Sequence, residues 1–153
     1  MTPRKIRELL QKYDIRPKKS LGQNFLVDGN ILESIVSAAG LHPKKGVLEI
    51  GPGAGTLTER LARQAGRVVA VEIDRSLIPL LEELTAGYGN VVVIHGDVLK
   101  VDLPRLFRDY FSDMDSVSVV ANLPYYITTP ILMKLLESRL PLESMVVMVQ
   151  KEV

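Results

Sequence analysis

The residues with most chemistry to offer stand at the ends of short apolar runs. Glu49-Ile50-Gly51-Pro52-Gly53-Ala54-Gly55 joins the run Val47–Ile50 to a helical stretch beginning near Thr56. Glycines at alternate positions let the backbone turn tightly and come close to a ligand, and an ordinary strand-to-helix turn rarely needs three. A second run closes with Val71-Glu72-Ile73-Asp74, which puts Glu72 21 residues after Gly51, at the tip of the neighbouring strand. A carboxylate there can accept hydrogens from both hydroxyls of a ribose. Asp74 reads as a helix-start residue. A third run closes with His95-Gly96-Asp97-Val98, bringing Asp97 to the same crevice as an acceptor for the amino group of an adenine ring. His95 reads as a loop histidine.

A fourth run leads into Asn122-Leu123-Pro124-Tyr125-Tyr126-Ile127-Thr128. The Leu123–Pro124 junction disfavours helix at Leu123 and fixes φ at Pro124, so the spacing predicts a stiff loop. Such a loop can hold the Asn122 side-chain oxygen and a neighbouring backbone carbonyl as two acceptors aimed at one point. An amino group conjugated to a base ring is a weak nucleophile, because its lone pair is delocalised. Two acceptors on its hydrogens favour the pyramidal form and free the lone pair for attack on an electrophilic methyl. Tyr125 offers a face on which a flipped base can stack.

The glycine loop also narrows the choice of ligand. A dinucleotide fingerprint needs glycine where Thr56 stands, and the Gly-Lys-Ser/Thr of a P-loop is absent. Glu49, two positions before Gly51, brings negative charge and suits a cationic or amino-bearing ligand better than a pyrophosphate. Glu49-x-Gly51-x-Gly53-x-Gly55 is the pattern of S-adenosylmethionine (SAM) methyltransferases. With no cysteine, the chain has no thiolate metal site, iron–sulfur cluster, disulfide or cysteine nucleophile. Its two histidines, His42 and His95, lie in unrelated contexts and argue against a His-rich metal site or a serine–histidine triad.

Elements must position these groups. The 153 residues suffice for one domain, with a core built mainly from Leu, Val and Ile. Val47–Ile50, Val68–Val71, Val91–Ile94, Val117–Val120 and Met145–Val149 are continuous β-branched runs, as strands buried on both faces require. Helical stretches Thr56–Gln64, Ser76–Ala86, Leu103–Tyr110 and Pro130–Ser138 separate them, which predicts a doubly wound α/β sheet. Ahead of the sheet, Ile6, Leu9, Leu10 and Tyr13 recur at helical spacing after Thr2-Pro3. Asp28 caps a second helix that Gly40 stops. Although the net charge is +1, residues 1–20 hold seven basic groups against Glu8 and Asp14. This basic arm fits either a solvated face or a contact for a polyanion. No apolar run approaches a membrane span, and no signal segment opens the chain, so the expectation is a soluble, cytoplasmic protein without membrane partners.

Taken with Lys18-Lys19-Ser20-Leu21-Gly22-Gln23-Asn24-Phe25-Leu26, the Asn122-Leu123-Pro124-Tyr125 run resembles the ribosomal RNA adenine dimethyltransferase family, and most closely its small-subunit dimethyladenosine transferase branch. The resemblance covers essentially the whole chain. It implies a Rossmann-like SAM-dependent methyltransferase sheet, with SAM as cofactor, S-adenosylhomocysteine (SAH) as product and no metal. It further implies Asn24 and Leu26 at the methionine end of SAM, and the backbone of Gly51 and Gly53 around the cofactor. Glu72 falls on its ribose, Asp97 on its adenine amino group and Asn122 between cofactor and target base. Leu123, Pro124 and Tyr125 complete the catalytic motif, and Lys18 and Lys19 are RNA contacts. The implied reaction adds two methyls to N6 of each of two adjacent adenosines near the 3′ end of 16S rRNA in the 30S particle. It proceeds by in-line displacement without a covalent enzyme intermediate.

Family members continue past a fifth strand with two more and then a helical C-terminal domain. Residues 1–153 are therefore expected to be the N-terminal part of the catalytic domain, truncated after the fifth strand, with a basic amphipathic helix and loop at 1–28. Such a fragment is expected to bind SAM, to have little activity of its own, and to self-associate through Met145 to Val149 as an exposed edge. The rival readings are a large-subunit rRNA adenine methyltransferase, a non-catalytic RNA-binding or ribosome-assembly module and, more distantly, a dinucleotide oxidoreductase.

Overall fold

A computed structural model describes residues 3–18 and 28–150. The apolar runs form five strands: β1 (Lys45–Ile50), β2 (Arg67–Glu72), β3 (Val91–His95), β4 (Ser116–Pro124) and β5 (Leu142–Gln150). All pair in parallel, in the order β3-β2-β1-β4-β5. Parallel strands need crossovers, and helices supply them. α3 (Thr56–Gln64) joins β1 to β2, α4 (Ile78–Thr85) β2 to β3, α5 (Leu103–Phe111) β3 to β4, and α6 (Thr128–Glu137) β4 to β5. With α1 (Pro3–Lys12) and α2 (Gly29–Ala39) ahead of β1, this is the doubly wound arrangement that the run pattern predicts.

Side chains alternate across the sheet, so each central strand feeds two cores. On one face Val47, Val68 and Val120 pack against Leu32 and Val36 of α2 and Leu57 and Leu61 of α3. On the other, Leu48, Val69 and Val119 meet Leu103 and Phe107 of α5 and Ile131 and Leu135 of α6. β1 lies in the middle with every residue buried. The basic helix α1 packs Ile6 and Leu9, with Ile15, on Leu77, Leu80, Leu81 and Leu84 in and before α4, and Val93 of β3 packs against the same cluster. Asp28 caps α2 by accepting from the Asn30 N–H at 2.7 Å, and Gly40 ends it in the left-handed region at φ +61°.

Two features depart from the sequence expectation. The segment Asn122–Pro124 is the end of β4 and not a loop: Asn122, Leu123 and Pro124 sit in register with Met148, Val149 and Gln150 of β5. Pro124 is extended at φ −60°, ψ 145°, a conformation its ring permits within a strand, and the chain turns only in the 3₁₀ segment Tyr125–Ile127. The helix expected from Ser76 begins as a 3₁₀ turn over Arg75–Leu77, capped by Asp74, and becomes α-helical at Ile78.

Because every strand is parallel, their C-terminal ends share one edge. The chain runs outward from β1 through β2 to β3 and then returns to β4 on the other side of β1. The crevice outside the strand ends at such a reversal is where open α/β sheets bind ligands.

Candidate active site

The glycine loop spans this crevice. Gly51, Gly53 and Gly55 have φ of +73°, +60° and +86°. A side chain in that region costs about 1–2 kcal/mol per residue. Space is a second constraint. A Cβ on Gly51 would lie 3.2 Å from the Asn122 carbonyl oxygen, and one on Gly55 2.6 Å from Leu84 Cδ2. The loop is thus pressed between the end of β4 and α4, with bare backbone lining the gap.

Glu72 closes β2 and is only 4% exposed. Its Oε1 accepts from the Gly53 N–H at 3.0 Å and its Oε2 from the Asp74 N–H at 2.9 Å. These bonds tie the glycine loop to the β2 end, and each carboxylate oxygen keeps a further lone pair for a ligand hydroxyl. Burial pushes the Glu72 carboxyl above the ordinary carboxylate range, against the pull of its amide donors. The next residue, Ile73, is 45% exposed and presents an apolar side chain between two carboxylates. Sequence gives no signal for it, because a single exposed apolar residue is ordinary.

Asp97 follows β3 by two residues, and its turn is held from inside and outside. Its Oδ1 accepts from the Leu99 N–H at 2.9 Å, and its carbonyl accepts from the N–H groups of Lys100 and Val101. From α6 the Lys134 ammonium donates to the carbonyls of Val98 and Val101. Desolvation lowers the Lys134 pKa, with the charges of Asp97 and Asp102 opposing it. Lys134, also unforeseen from sequence, links the Asp97 turn to the helix that follows the Asn122 motif. At the fourth strand end, Pro124 offers its carbonyl to the Thr128 hydroxyl at 3.1 Å, fastening the motif to the start of α6.

The structure therefore brings Gly51, Gly53, Glu72, Asp97, Asn122, Leu123 and Pro124 to one edge. Lys19, Asn24 and Leu26 lie outside the described residues, as does the side chain of Tyr125. Two expectations change. Glu49 is 1% exposed and accepts from the Thr58 hydroxyl of α3. Desolvation first, then the charge of Glu72, push its carboxyl up to about 8 despite the Thr58 bond. It is mostly neutral at pH 7 and turned inward, so it does not bring negative charge to a ligand. Lys18, read from sequence as an RNA contact, has an intramolecular partner: its ammonium lies 2.9 Å from Oδ1 of the buried Asp74.

The cradle fits a nucleoside-bearing cofactor on its own geometry. There is bare backbone at Gly51, an anchored carboxylate with acceptor capacity at Glu72, an apolar cover at Ile73 and a second carboxylate at Asp97. Among the described residues, no group of three or more His, Asp and Glu could hold a metal ion, and no helix is long and apolar enough to cross a membrane.

The chain is 58% identical over 152 residues to the ribosomal RNA small subunit methyltransferase A of Geobacillus sp. (strain WCH70), covering 99% of this chain and 52% of that protein. It spans about half the length of the curated relatives it matches. Among solved structures, the 23S rRNA methyltransferase ErmE superposes with a TM-score of 0.71 at 34% identity, over 83% of this chain and 48% of that one. A dimethyladenosine transferase from Plasmodium falciparum gives 0.69 at 34%, over 84% and 44%. The sequence model described as Ribosomal RNA adenine dimethylase matches residues 15–153. With the strand-end carboxylates and the glycine cradle in the matched region, the chain belongs to the ribosomal RNA adenine dimethylase family.

Proposed function

We propose that the whole protein is a SAM-dependent adenine N6,N6-dimethyltransferase acting on two adjacent adenosines near the 3′ end of small-subunit rRNA, in the cytoplasm, on the 30S particle. One observation carries the reading: Gly51, Glu72, Asp97 and Asn122 stand at four adjoining strand ends, and the Asn122 carbonyl lies against the Gly51 turn. SAM, when bound, supplies a methyl group made electrophilic by a sulfonium.

The chain's own residues do the rest. Glu72 accepts from the ribose hydroxyls, Asp97 accepts from the cofactor's adenine amino group, and Ile73 covers the ring. Asn24 and Leu26 hold the methionine end. Asn122 accepts from the N–H of the target amine, which localises its lone pair for attack. Pairing of Asn122–Pro124 with β5 fixes that acceptor, so little reorganisation is needed as charge develops. Tyr125 stacks on the flipped base, and the basic arm, Lys19 included, faces the phosphates. Residues 1–153 alone are proposed to bind the cofactor and to transfer methyl groups weakly.

The relatives named for the small subunit favour that substrate over the large-subunit RNA named for ErmE. The test is methyl incorporation by the full-length protein into separated, unmethylated ribosomal subunits, with the products mapped. Dimethyladenosine at two adjacent small-subunit positions is expected. Methylation confined to the large subunit would overturn the substrate, and none in either would overturn the reaction.

A further inference from the structure

Lys18 is the last described residue before segment 19–27, and it makes a long-range contact for which neither composition nor motif prepares. Its ammonium lies 2.9 Å from Asp74 Oδ1, and the Asp74 side chain is only 3% exposed. The same oxygen accepts from the N–H and the hydroxyl of Ser76, at 3.0 and 2.7 Å. The Asp74 N–H donates in turn to Glu72 Oε2, whose partner oxygen accepts from the Gly53 N–H. An unbroken polar path therefore runs from the end of the N-terminal arm, through the β2 tip, to the glycine loop.

Two features set this contact apart from an ordinary surface ion pair. The carboxylate is buried, so losing its cationic partner costs more than the small sum typical of exposed pairs. The pair is also anchored on both sides. Ile15, three residues before Lys18, is buried with α1 against α4, and Asp74 is fixed by the 3₁₀ turn that it caps.

We infer that Lys18 is a positioning residue for cofactor binding: its ion pair with Asp74 latches the N-terminal arm to the Glu72 turn. The latch rests on the cofactor reading of Glu72 given above. It leaves phosphate contacts to Lys19 and to exposed basic residues of the arm such as Arg7 and Arg16.

The test uses Lys18→Gln, Lys18→Arg, Asp74→Asn and the Lys18→Gln/Asp74→Asn double variant, with two readouts. Calorimetric titration with SAH should show affinity roughly five- to tenfold weaker in Lys18→Gln and in Asp74→Asn. Lys18→Arg should restore most of the loss, and the double variant should be no worse than either single one, because all remove the same contact. Hydrogen exchange of the ligand-free chain should be faster over residues 13–18 and 73–77 in Lys18→Gln, with exchange over β1 and β4 as in the wild type. Wild-type SAH affinity in Lys18→Gln, additive losses in the double variant, or unchanged exchange would each overturn the latch. If the wild-type chain binds no SAH while the exchange difference persists, the cofactor reading is what fails.

Discussion

Burial of Glu49 makes its proton part of the folded state. Its carboxyl is held near 8 in the fold and titrates near 4.5 when exposed, so between those values the folded chain binds more protons than the unfolded one. The contribution of Glu49 to stability must then fall as pH rises from about 4.5 to about 8 and change no further above that. Glu72, also raised by burial, acts in the same direction. Glu49→Gln keeps the shape and the bond to Thr58 but removes the titration. Denaturant unfolding at pH 5 and pH 8 should show a smaller loss across the interval in the variant than in the wild type; equal losses would contradict the assignment. Glu72 carries a different expectation, for binding. Glu72→Ala should weaken SAH by roughly 1.5–3 kcal/mol, the range for hydrogen bonds to a charged group. An unchanged dissociation constant by calorimetry would remove it from the ribose role.

The strands and crossovers were legible because continuous Val and Ile runs have few uses other than the interior of a parallel sheet, and because Asp28, Gly40 and Asp74 are local punctuation. The end of β4 was misread for the same local reason. Proline followed by two tyrosines signals a turn, and only pairing with β5, more than 20 residues away, carries the strand through Pro124. β5 itself has a consequence. Among the described residues it pairs only with β4, and Leu142, Met145 and Val147 are only partly buried against the core. Its outer edge offers unpaired N–H and C=O groups on an apolar strand, a template for a second chain. A polypeptide of these 153 residues should therefore self-associate, with sedimentation showing a mass that rises with concentration. A strict monomer at high concentration would mean that this edge is protected.

At the scale of the whole molecule, the candidate site was legible as a list of strand ends and illegible as a connected object. Gly51, Glu72, Asp97 and Asn122 announce themselves by type and spacing. What joins them does not: the Glu72 bridge to Gly53, the Lys134 clamp on the Asp97 turn, the Lys18 pair with Asp74 and the inward turn of Glu49 all follow from tertiary approach. Ile73 went unnoticed because one exposed apolar residue carries no period. For the Glu72, Lys134 and Lys18 contacts the residue type was ordinary and its neighbour in space was distant in sequence.

The central claim is that these strand ends form a methyl-transfer site in which Asn122 acts on the target amine as the barrier is crossed. The most direct test is single-turnover methyl transfer to unmethylated small-subunit particles by full-length protein carrying Asn122→Ala, with RNA binding measured on the same preparation. The expected rate is lower by on the order of a hundredfold, as for loss of one preorganised polar group, with RNA affinity nearly unchanged. A near-normal rate on bound particles would contradict it.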